Sequence, residues 1–298
     1  MRKVELILDA EENYFMREAF NTLRTNILFS GRDIKTIVVT SCMAHEGKTT
    51  VTYELARSLA EFGKRVLLVD SDLRKSVMVS RYTKERGIVG LSQLLSGQVT
   101  CEQAVYNTQF ENLDIIFAGP YPPNPTELVG SEAFKELLEM QRVSYDYIFV
   151  DAPPLGLVID AAVMASACDA AILVMGAGRV KYRLAQDVKD QLQRSGCKIL
   201  GVVLNQIDRK SNGRGYYGTK YSETYGYERS TSGANHAPSA TQSASHASTA
   251  QPQARPTAPR APQQQTGATV RRPVQGNPVG GVRPTQQRPQ NTVDQNKQ

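Results

Sequence analysis

The chain has 298 residues, of which 40% are hydrophobic, as is typical of a soluble protein with an α/β core. No apolar run approaches the ~18 residues that a membrane span needs, the N-terminus lacks the pattern of a signal peptide, and four cysteines without paired spacing indicate reduced thiols in a cytoplasmic protein. The net charge is +6, but residues 229–298 carry eight basic side chains and one acidic one, which leaves −1 for residues 1–228 and argues against nucleic-acid binding by that part.

Residues 11–29 are predicted to form an amphipathic helix, because apolar side chains recur every four residues. These side chains are Phe15, Ala19, Leu23 and Ile27. Glu18 and Arg24 fall near the same side of the helix. Two interpretations stay open: the helix packs on its own domain, or it forms a contact between subunits.

The stretch from Thr36 to Thr50 has the pattern of a P-loop between a strand and a helix. The β-branched run from Ile37 to Val39 indicates a buried strand, and a helical pattern follows Thr50. We predict that backbone N–H groups of the loop and the helix N-terminus bind nucleotide phosphates. Lys48 is expected to reach the β- and γ-phosphates, and the Thr49 hydroxyl to ligate Mg²⁺. The residues predicted to bind ATP here are Glu46, Gly47, Lys48, Thr49 and Thr50.

Two further apolar runs end in aspartates. The run from Val66 to Val69 precedes Asp70 and Asp72, and the run from Ile148 to Val150 precedes Asp151. Open α/β sheets place their ligand sites at the carboxyl ends of strands, and carboxylates beside a P-loop suit Mg²⁺ coordination and proton acceptance. We therefore expect Asp72 and Asp151 to hold Mg²⁺ with the P-loop threonine. Asp70 is the candidate base, and an exchange of roles between Asp70 and Asp72 stays open.

Three more strands are predicted at residues 113–118, 170–175 and 199–204. The first leads into a proline-rich segment that is not expected to become helical before Thr126. The last ends at Asn205, whose amide is a candidate to contact the nucleotide base, with a simple turn as the equal alternative. Strands that alternate with helices predict a doubly wound parallel sheet, and no second apolar block follows.

The segment after this domain contains five tyrosines and no aliphatic residue, so we expect it to be mobile rather than to form a core. We predict that these tyrosines are phosphoacceptors: Tyr216, Tyr217, Tyr221, Tyr225 and Tyr227. The Pro/Gln/Arg-rich remainder is expected to be disordered. The predicted organisation is a helical segment for oligomerisation or adaptor contact at 1–34, a P-loop domain at 35–210, a tyrosine cluster at 211–228 and a disordered tail at 229–298.

Together these motifs resemble the bacterial tyrosine kinases, over roughly residues 11–228. The resemblance rests on SCMAHEGKTT, VLLVDSDLR, YIFVDAPP, the segment GPYPPNPTELV and the tyrosine cluster. It is closest to the cytoplasmic kinases of capsular or exopolysaccharide assembly systems in Gram-positive bacteria. The resemblance implies an ATP- and Mg²⁺-dependent protein-tyrosine kinase. It places Lys48 and Thr49 in the first Walker motif, Asp151 in Walker B, and Asp70, Asp72 and Arg74 in a second, kinase-type Walker motif.

The resemblance also implies partners and a location. Relatives of this kind phosphorylate their own tail tyrosines in trans within a ring of subunits. A transmembrane adaptor of the polysaccharide co-polymerase type activates them at the inner face of the cell membrane, and a phosphotyrosine phosphatase is a further implied partner. The oligomerisation pattern Glu-x-x-Arg-x-x-Arg appears here as Glu18, Asn21 and Arg24, without the middle arginine, and Ala44 replaces a loop proline of many relatives.

Three other functions are alternatives to a tyrosine kinase, and each predicts different features in the sequence or in a variant. A partition or septum-positioning ATPase carries a second lysine early in its P-loop, where this chain has Met43. A GTPase has Asp-x-x-Gly after the Walker B strand, and Pro154 occupies the glycine position, although Asn205 and Asp208 prompt the comparison. A non-catalytic adaptor that works through its proline-rich tail would keep its function without Lys48.

Overall fold

The computed structural model describes residues 2–7 and 14–207 of the chain. Eight strands of this part form one sheet: β1 (Arg2–Lys3), β2 (Thr36–Ser41), β3 (Val66–Asp70), β4 (Val105–Asn107), β5 (Leu113–Ile116), β6 (Tyr147–Asp151), β7 (Ala170–Gly176) and β8 (Lys198–Asn205). Their order across the sheet is β1-β4-β5-β3-β6-β2-β7-β8, and the pair β4–β5 is antiparallel whereas the other pairs are parallel.

Helices lie on both faces of the sheet, so the predicted doubly wound architecture is confirmed. The helices of the described part are α1 (Tyr14–Leu28), α2 (Lys48–Glu61), α3 (Met78–Tyr82), α4 (Leu91–Leu95), α5 (Cys101–Ala104), α6 (Pro125–Val129), α7 (Glu132–Ser144), α8 (Asp160–Ala165) and α9 (Tyr182–Arg194). One buried cluster joins α1, α2 and α3 to the sheet. A second cluster joins α4, α6, α7, α8 and α9 to the opposite face.

The three central strands, β3, β6 and β2, are buried along their whole length. Their continuous apolar runs are what a parallel strand covered on both faces requires, which explains why the sequence located them correctly. Asp70 pairs with Asp151 across β3 and β6, and Val39 pairs with Asp151 across β2 and β6. The ends of the three strands therefore lie side by side, with the P-loop immediately after β2.

Helix α1 differs from its prediction in the face that it buries. Phe20 and Ile27 are buried and Leu23 is partly buried, whereas Phe15 and Ala19 are exposed. The contact with the domain is thus made by a stripe at spacings of three and four that begins at Phe20. The expected stripe was right in its second half and wrong in its first half, because residues 14–19 are exposed and burial begins at Phe20.

Two boundaries also differ from the prediction. Helix α6 begins at Pro125, one residue before the expected start at Thr126, and a proline suits this first helical position because its missing N–H would have no partner there. Strand β5 ends at Ile116 rather than at residue 118. Asp208, the tyrosine cluster and the tail lie outside the described residues, so their predicted boundaries stay predictions. Of the helices in the described part, none has both the length and the apolar composition to cross a membrane.

Candidate active site

The P-loop between β2 and α2 takes a conformation that requires glycine at its end. Gly47 has a φ of +85°, in the left-handed region, and a Cβ added there would lie 2.2 Å from Nδ2 of Asn205. The same Nδ2 donates a 2.9 Å hydrogen bond to the carbonyl of Glu46. Asn205, at the end of β8, therefore holds the loop from the side, which is a contact that the sequence did not predict.

Glu46 stabilises the loop through its side chain. Its buried carboxylate accepts hydrogen bonds from the backbone N–H of Met43 at 2.7 Å and of Gly176 at 2.9 Å. These bonds tie the loop to itself and to the end of β7. Glu46 was predicted to bind ATP, but both oxygens of its carboxylate are engaged by these backbone N–H groups.

Lys48 is the centre of the charged cluster that the sequence predicted. Its Nζ lies 3.2 Å from Oδ2 of Asp72 and 3.6 Å from Oδ1 of Asp151, and it donates to Oγ1 of Thr49 at 3.2 Å. Asp70 stands beside Asp151 in the paired strands and accepts hydrogen bonds from the Ser76 hydroxyl and, at 3.4 Å, from the Asp72 N–H. Residues predicted from three separate sequence motifs thus meet at one point.

The cluster holds more negative than positive charge in a buried place. Burial raises the pKa of Asp70 to about 7, and the nearby Asp151 carboxylate adds to this rise. Burial also raises the pKa of Asp151, although Lys48 opposes the change. Burial works against the charge on Lys48, but the carboxylates of Asp151 and Asp72 outweigh it and raise the pKa of Lys48. Shifts of this kind beside a cleft are typical of functional sites.

A cavity of about 260 Å³ opens next to the cluster. It is lined by residues of the P-loop, of the segment after β3 and of the loop after β6: Ala44, His45, Gly47, Lys48, Thr49, Thr50, Asp72, Arg74, Lys75, Val77, Arg81, Pro153, Pro154, Leu157 and Val158. Asp72 lines this cavity, whereas Asp70 and Asp151 do not. The P-loop and a carboxylate thus face the same opening, as a phosphate-binding cleft requires.

Arg74, which completes the second Walker motif, is fixed by a network that the sequence did not reveal. Its Nε donates to Oδ2 of Asp160 at 2.7 Å and its guanidinium donates to Oδ1 at 3.1 Å and to Oγ1 of Thr126 at 2.8 Å. The Thr126 hydroxyl donates in turn to Asp160 at 2.7 Å. Burial alone would raise the pKa of Asp160, but these hydrogen bonds lower it. The network joins the segment after β3 to α6 and α8.

The two residues assigned to oligomerisation do not come together. Arg24 donates to the carbonyl and the hydroxyl of Ser58 at 3.2 and 3.0 Å, and its guanidinium lies 4.7 Å from the centre of the Phe62 ring. Glu18 is exposed and accepts a 3.1 Å hydrogen bond from Asn21. In this structure Arg24 therefore contacts the α2 region of its own domain, and Glu18 alone of the two faces outward.

Known proteins share this fold and these motifs. The AAA domain family matches residues 34–180. The tyrosine-protein kinase CpsD of Streptococcus pneumoniae is 42% identical over 217 residues, which cover 73% of this chain and 93% of the relative. The tyrosine-protein kinase YwqD of Bacillus subtilis (strain 168) is 37% identical over 207 residues, which cover 68% of this chain and 86% of the relative.

Solved structures agree with these relatives. The chimerical protein CapA2B2 superposes with a TM-score of 0.62 at 28% identity, and the match covers 70% of this chain and 95% of that chain. The kinase domain of the Escherichia coli tyrosine kinase ETK gives a TM-score of 0.61 at 28% identity, over 68% of this chain and 80% of that chain. These relatives confirm the tyrosine-kinase prediction: this chain belongs to the bacterial tyrosine-protein kinases.

Proposed function

We propose that the chain binds Mg-ATP in the P-loop cleft and transfers the γ-phosphoryl group to tyrosine hydroxyls of another copy of the same chain. The observation that carries the proposal is the meeting of Lys48 with Thr49, Asp72 and Asp151 beside an open cavity. A tyrosine kinase needs this set, because phosphoryl transfer is catalysed mainly by positioning and by stabilising charge.

The side chains of the cluster divide between phosphate and metal. Lys48 and the loop N–H groups stabilise negative charge on the phosphates. Thr49, Asp72 and Asp151 would hold Mg²⁺, and their oxygens fit this role because they are hard ligands gathered around the Lys48 ammonium within 3.6 Å. The described residues contain no group of three or more His, Cys, Asp or Glu that could hold a metal alone, so phosphate and water oxygens complete the set. When bound, Mg²⁺ supplies further charge neutralisation on the phosphate oxygens.

The transfer needs a group that takes the tyrosine proton. The tyrosine oxygen forms a bond to the γ-phosphorus, the bond from that phosphorus to the ADP oxygen breaks, and the hydroxyl proton moves to a carboxylate. A tyrosine hydroxyl has a pKa of about 10, so it is protonated at neutral pH. Asp70, with a pKa of about 7, has the proton affinity that suits this base. The alternative base is Asp72, which is favoured by its position on the cavity wall.

Asn205 was predicted to contact the nucleotide base. Its Nδ2 is engaged by the Glu46 carbonyl, and this contact supports a different role. We propose that Asn205 positions the P-loop for the phosphates. Thr50 lies at the cavity, where its hydroxyl accepts a 2.8 Å hydrogen bond from Arg81, and it is proposed to contribute its backbone N–H to the phosphate site.

The proposed phosphoacceptors, partners and biological role rest on membership of the family rather than on the geometry of the site. The proposed phosphoacceptors are Tyr216, Tyr217, Tyr221, Tyr225 and Tyr227. We propose that a transmembrane adaptor activates the kinase at the inner face of the membrane, that a phosphatase reverses its action, and that the pair regulates capsular or exopolysaccharide synthesis. A ring of subunits is proposed through the exposed start of α1, which presents Glu18 with Tyr14 and Phe15.

The test compares Lys48→Met with Lys189→Met, a matched change at an exposed position of α9. Each full-length protein is incubated with Mg-ATP, and phosphotyrosine is quantified by mass spectrometry beside released phosphate. We expect Lys48→Met to lower phosphotyrosine formation at least about 100-fold, because the phosphate charge loses its main partner, and Lys189→Met to match the parent. Phosphotyrosine on Lys48→Met at the parent rate would refute the site, and free phosphate without phosphotyrosine in the parent would indicate an ATPase switch.

Transfer between copies has its own test in the same assay. The Lys48→Met protein serves as acceptor, and a second protein with all five cluster tyrosines changed to phenylalanine serves as kinase. Phosphotyrosine on the Lys48→Met chain supports transfer in trans. Its absence, together with phosphorylation of the parent, would show that transfer occurs within one chain.

A further inference from the structure

The edge strand β8 exposes an apolar surface that natural sheets rarely leave open. Within residues 2–7 and 14–207, β8 pairs with β7 and with no other strand. From Ile199 to Asn205 it has no charged residue, and Val202 and Leu204 are 56% and 54% exposed. Edge strands are normally protected by charged residues, by prolines or by a covering segment, because an open edge pairs with other strands. The composition of β8 therefore predicts that something covers it.

The exposed apolar side chains share one face of the strand. After a register shift in β7, Val202 pairs with Leu173 and Leu204 pairs with Met175. These two β7 residues belong to the cluster on the α9 side of the sheet. An added strand beside β8 would bring its own side chains next to Val202 and Leu204 on this same face.

The tyrosine cluster has the sequence of such a strand. Between residues 217 and 227, the odd positions are Tyr217, Thr219, Tyr221, Glu223, Tyr225 and Tyr227, and the even positions are Gly218, Lys220, Ser222, Thr224 and Gly226. In an extended chain this alternation puts four tyrosines on one face and small or polar residues on the other. Tyrosine and threonine also favour strands.

The short connection between β8 and the tyrosine cluster favours docking of the cluster on β8 of its own chain over docking on a second copy. Nine residues separate Ile207, the last described residue, from Tyr217, and they include Asn212-Gly213, the strongest short signal for a hairpin turn. Closing so short a loop costs little entropy and gives a high local concentration of the segment. The eleven residues from Tyr217 to Tyr227 are long enough to cover all eight residues of β8.

We propose that the unphosphorylated segment 217–227 docks along β8 of its own chain as an antiparallel strand, with its tyrosine face over Val202 and Leu204. Phosphorylation adds a charge of about −1.5 to −2 to each tyrosine, which an apolar surface disfavours. If the cluster is the phosphoacceptor, as in the proposed function, phosphorylation therefore releases the segment from the edge.

The test is hydrogen exchange of the β8 amides, measured by mass spectrometry on full-length protein. The parent carries Lys48→Met, so that no phosphate reaches the tyrosines. Thr219→Pro with Thr224→Pro keeps every tyrosine but interrupts a strand, whereas Thr241→Pro with Thr249→Pro makes the same two changes far along the tail. We expect peptides covering residues 198–207 to exchange at least about 10-fold faster in the first variant and at the parent rate in the second.

Two results would overturn the proposal. Equal exchange in all three proteins would show that the segment does not cover β8. Protection that disappears on dilution would assign the cover to a second copy instead of the same chain. Because the parent is inactive by design, a failure of the proposed kinase activity appears separately, in the phosphotyrosine assay of the chain with Lys48 intact.

Discussion

Two groups of buried charges lie at the same end of the sheet and behave in opposite ways. Around Lys48, the carboxylates of Asp70, Asp72 and Asp151 gather on one ammonium group, and the pKa values of Asp70 and Asp151 are raised. Beside them, both oxygens of the Asp160 carboxylate accept hydrogen bonds from the Arg74 guanidinium, and one of them also accepts a hydrogen bond from the Thr126 hydroxyl. The pKa of Asp160 is lowered.

Both carboxylates are closed to solvent, since Asp70 is 1% exposed and Asp160 is 2% exposed, but Asp70 lies deeper in the protein, where burial opposes ionisation more strongly. The number of positive and donor groups around each carboxylate adds to this difference. The Arg74–Asp160 network pairs each charge with an opposite one, whereas the Lys48 cluster is short of positive charge, as expected of the proposed Mg²⁺ site. A buried site that is unfavourable for the empty protein but suited to its ligands is typical of an active site.

The largest expected effect on activity comes from Asp70→Asn, which tests the charged cluster around Lys48. Removing the candidate base should lower phosphotyrosine formation at least about 100-fold. The same change should raise the free energy of unfolding by about 2 kcal/mol at pH 8 without Mg²⁺ or nucleotide, because it removes a buried charge whose ionisation is disfavoured. Initial rates and chemical denaturation measure the two effects.

Asp72→Asn is the matched control for the assignment of the base. An Asp70→Asn protein that keeps the parent rate, beside an Asp72→Asn protein that loses it, would remove the base role from Asp70 and leave Asp72 as the candidate. A fall in stability on Asp70→Asn would contradict the view that this carboxylate is held at an energetic cost.

An Asp-to-Asn substitution in the Arg74–Asp160 network should change the free energy of unfolding in the opposite direction. Asp160→Asn removes the charge that Arg74 and Thr126 solvate, so we expect the free energy of unfolding to fall by about 1.5 kcal/mol at pH 7. The loss is moderate because the Arg74 side chain is 35% exposed and can be hydrated instead. Chemical denaturation measures it, with Asp187→Asn, at an exposed position of α9, as control. A stability equal to the parent would remove the contrast between the two groups.

The smallest effect is the pH dependence of the unliganded protein. The folded-state pKa of Asp70, about 7, exceeds the unfolded value of 3.8, so its contribution is present at low pH and is lost as pH rises toward and through 7. Asp160 and Asp169 have lowered pKa values, so their contribution is present above about pH 4 and is lost as pH falls below it.

We therefore expect a stability maximum near pH 4 and a decline from there through pH 7, of which about 1 kcal/mol falls between pH 6 and pH 8, in the absence of Mg²⁺ and nucleotide. Thermal unfolding across this range measures the decline, and Asp70→Asn should reduce it. A stability that rises steadily to pH 8 would show that Asp70 does not titrate in this range.

The central strands, the doubly wound sheet and the members of the Lys48 cluster were predictable from local sequence patterns. The reason is that a strand buried on both faces is written as a continuous apolar run, and that parallel strands bring their carboxyl ends together. Asp70 and Asp151 were therefore expected near Lys48 although they lie far apart in the chain.

The pairing of distant polar side chains was not predictable in this way and became visible in the folded chain. Arg74 meets Asp160 across 86 residues, Glu46 meets Gly176 across 130, and Arg24 turns onto Ser58 of its own domain. Apolar periodicity states which face of an element is buried and where a strand ends. It does not state which distant side chain lies opposite, because that depends on the register and packing of elements that no local pattern encodes.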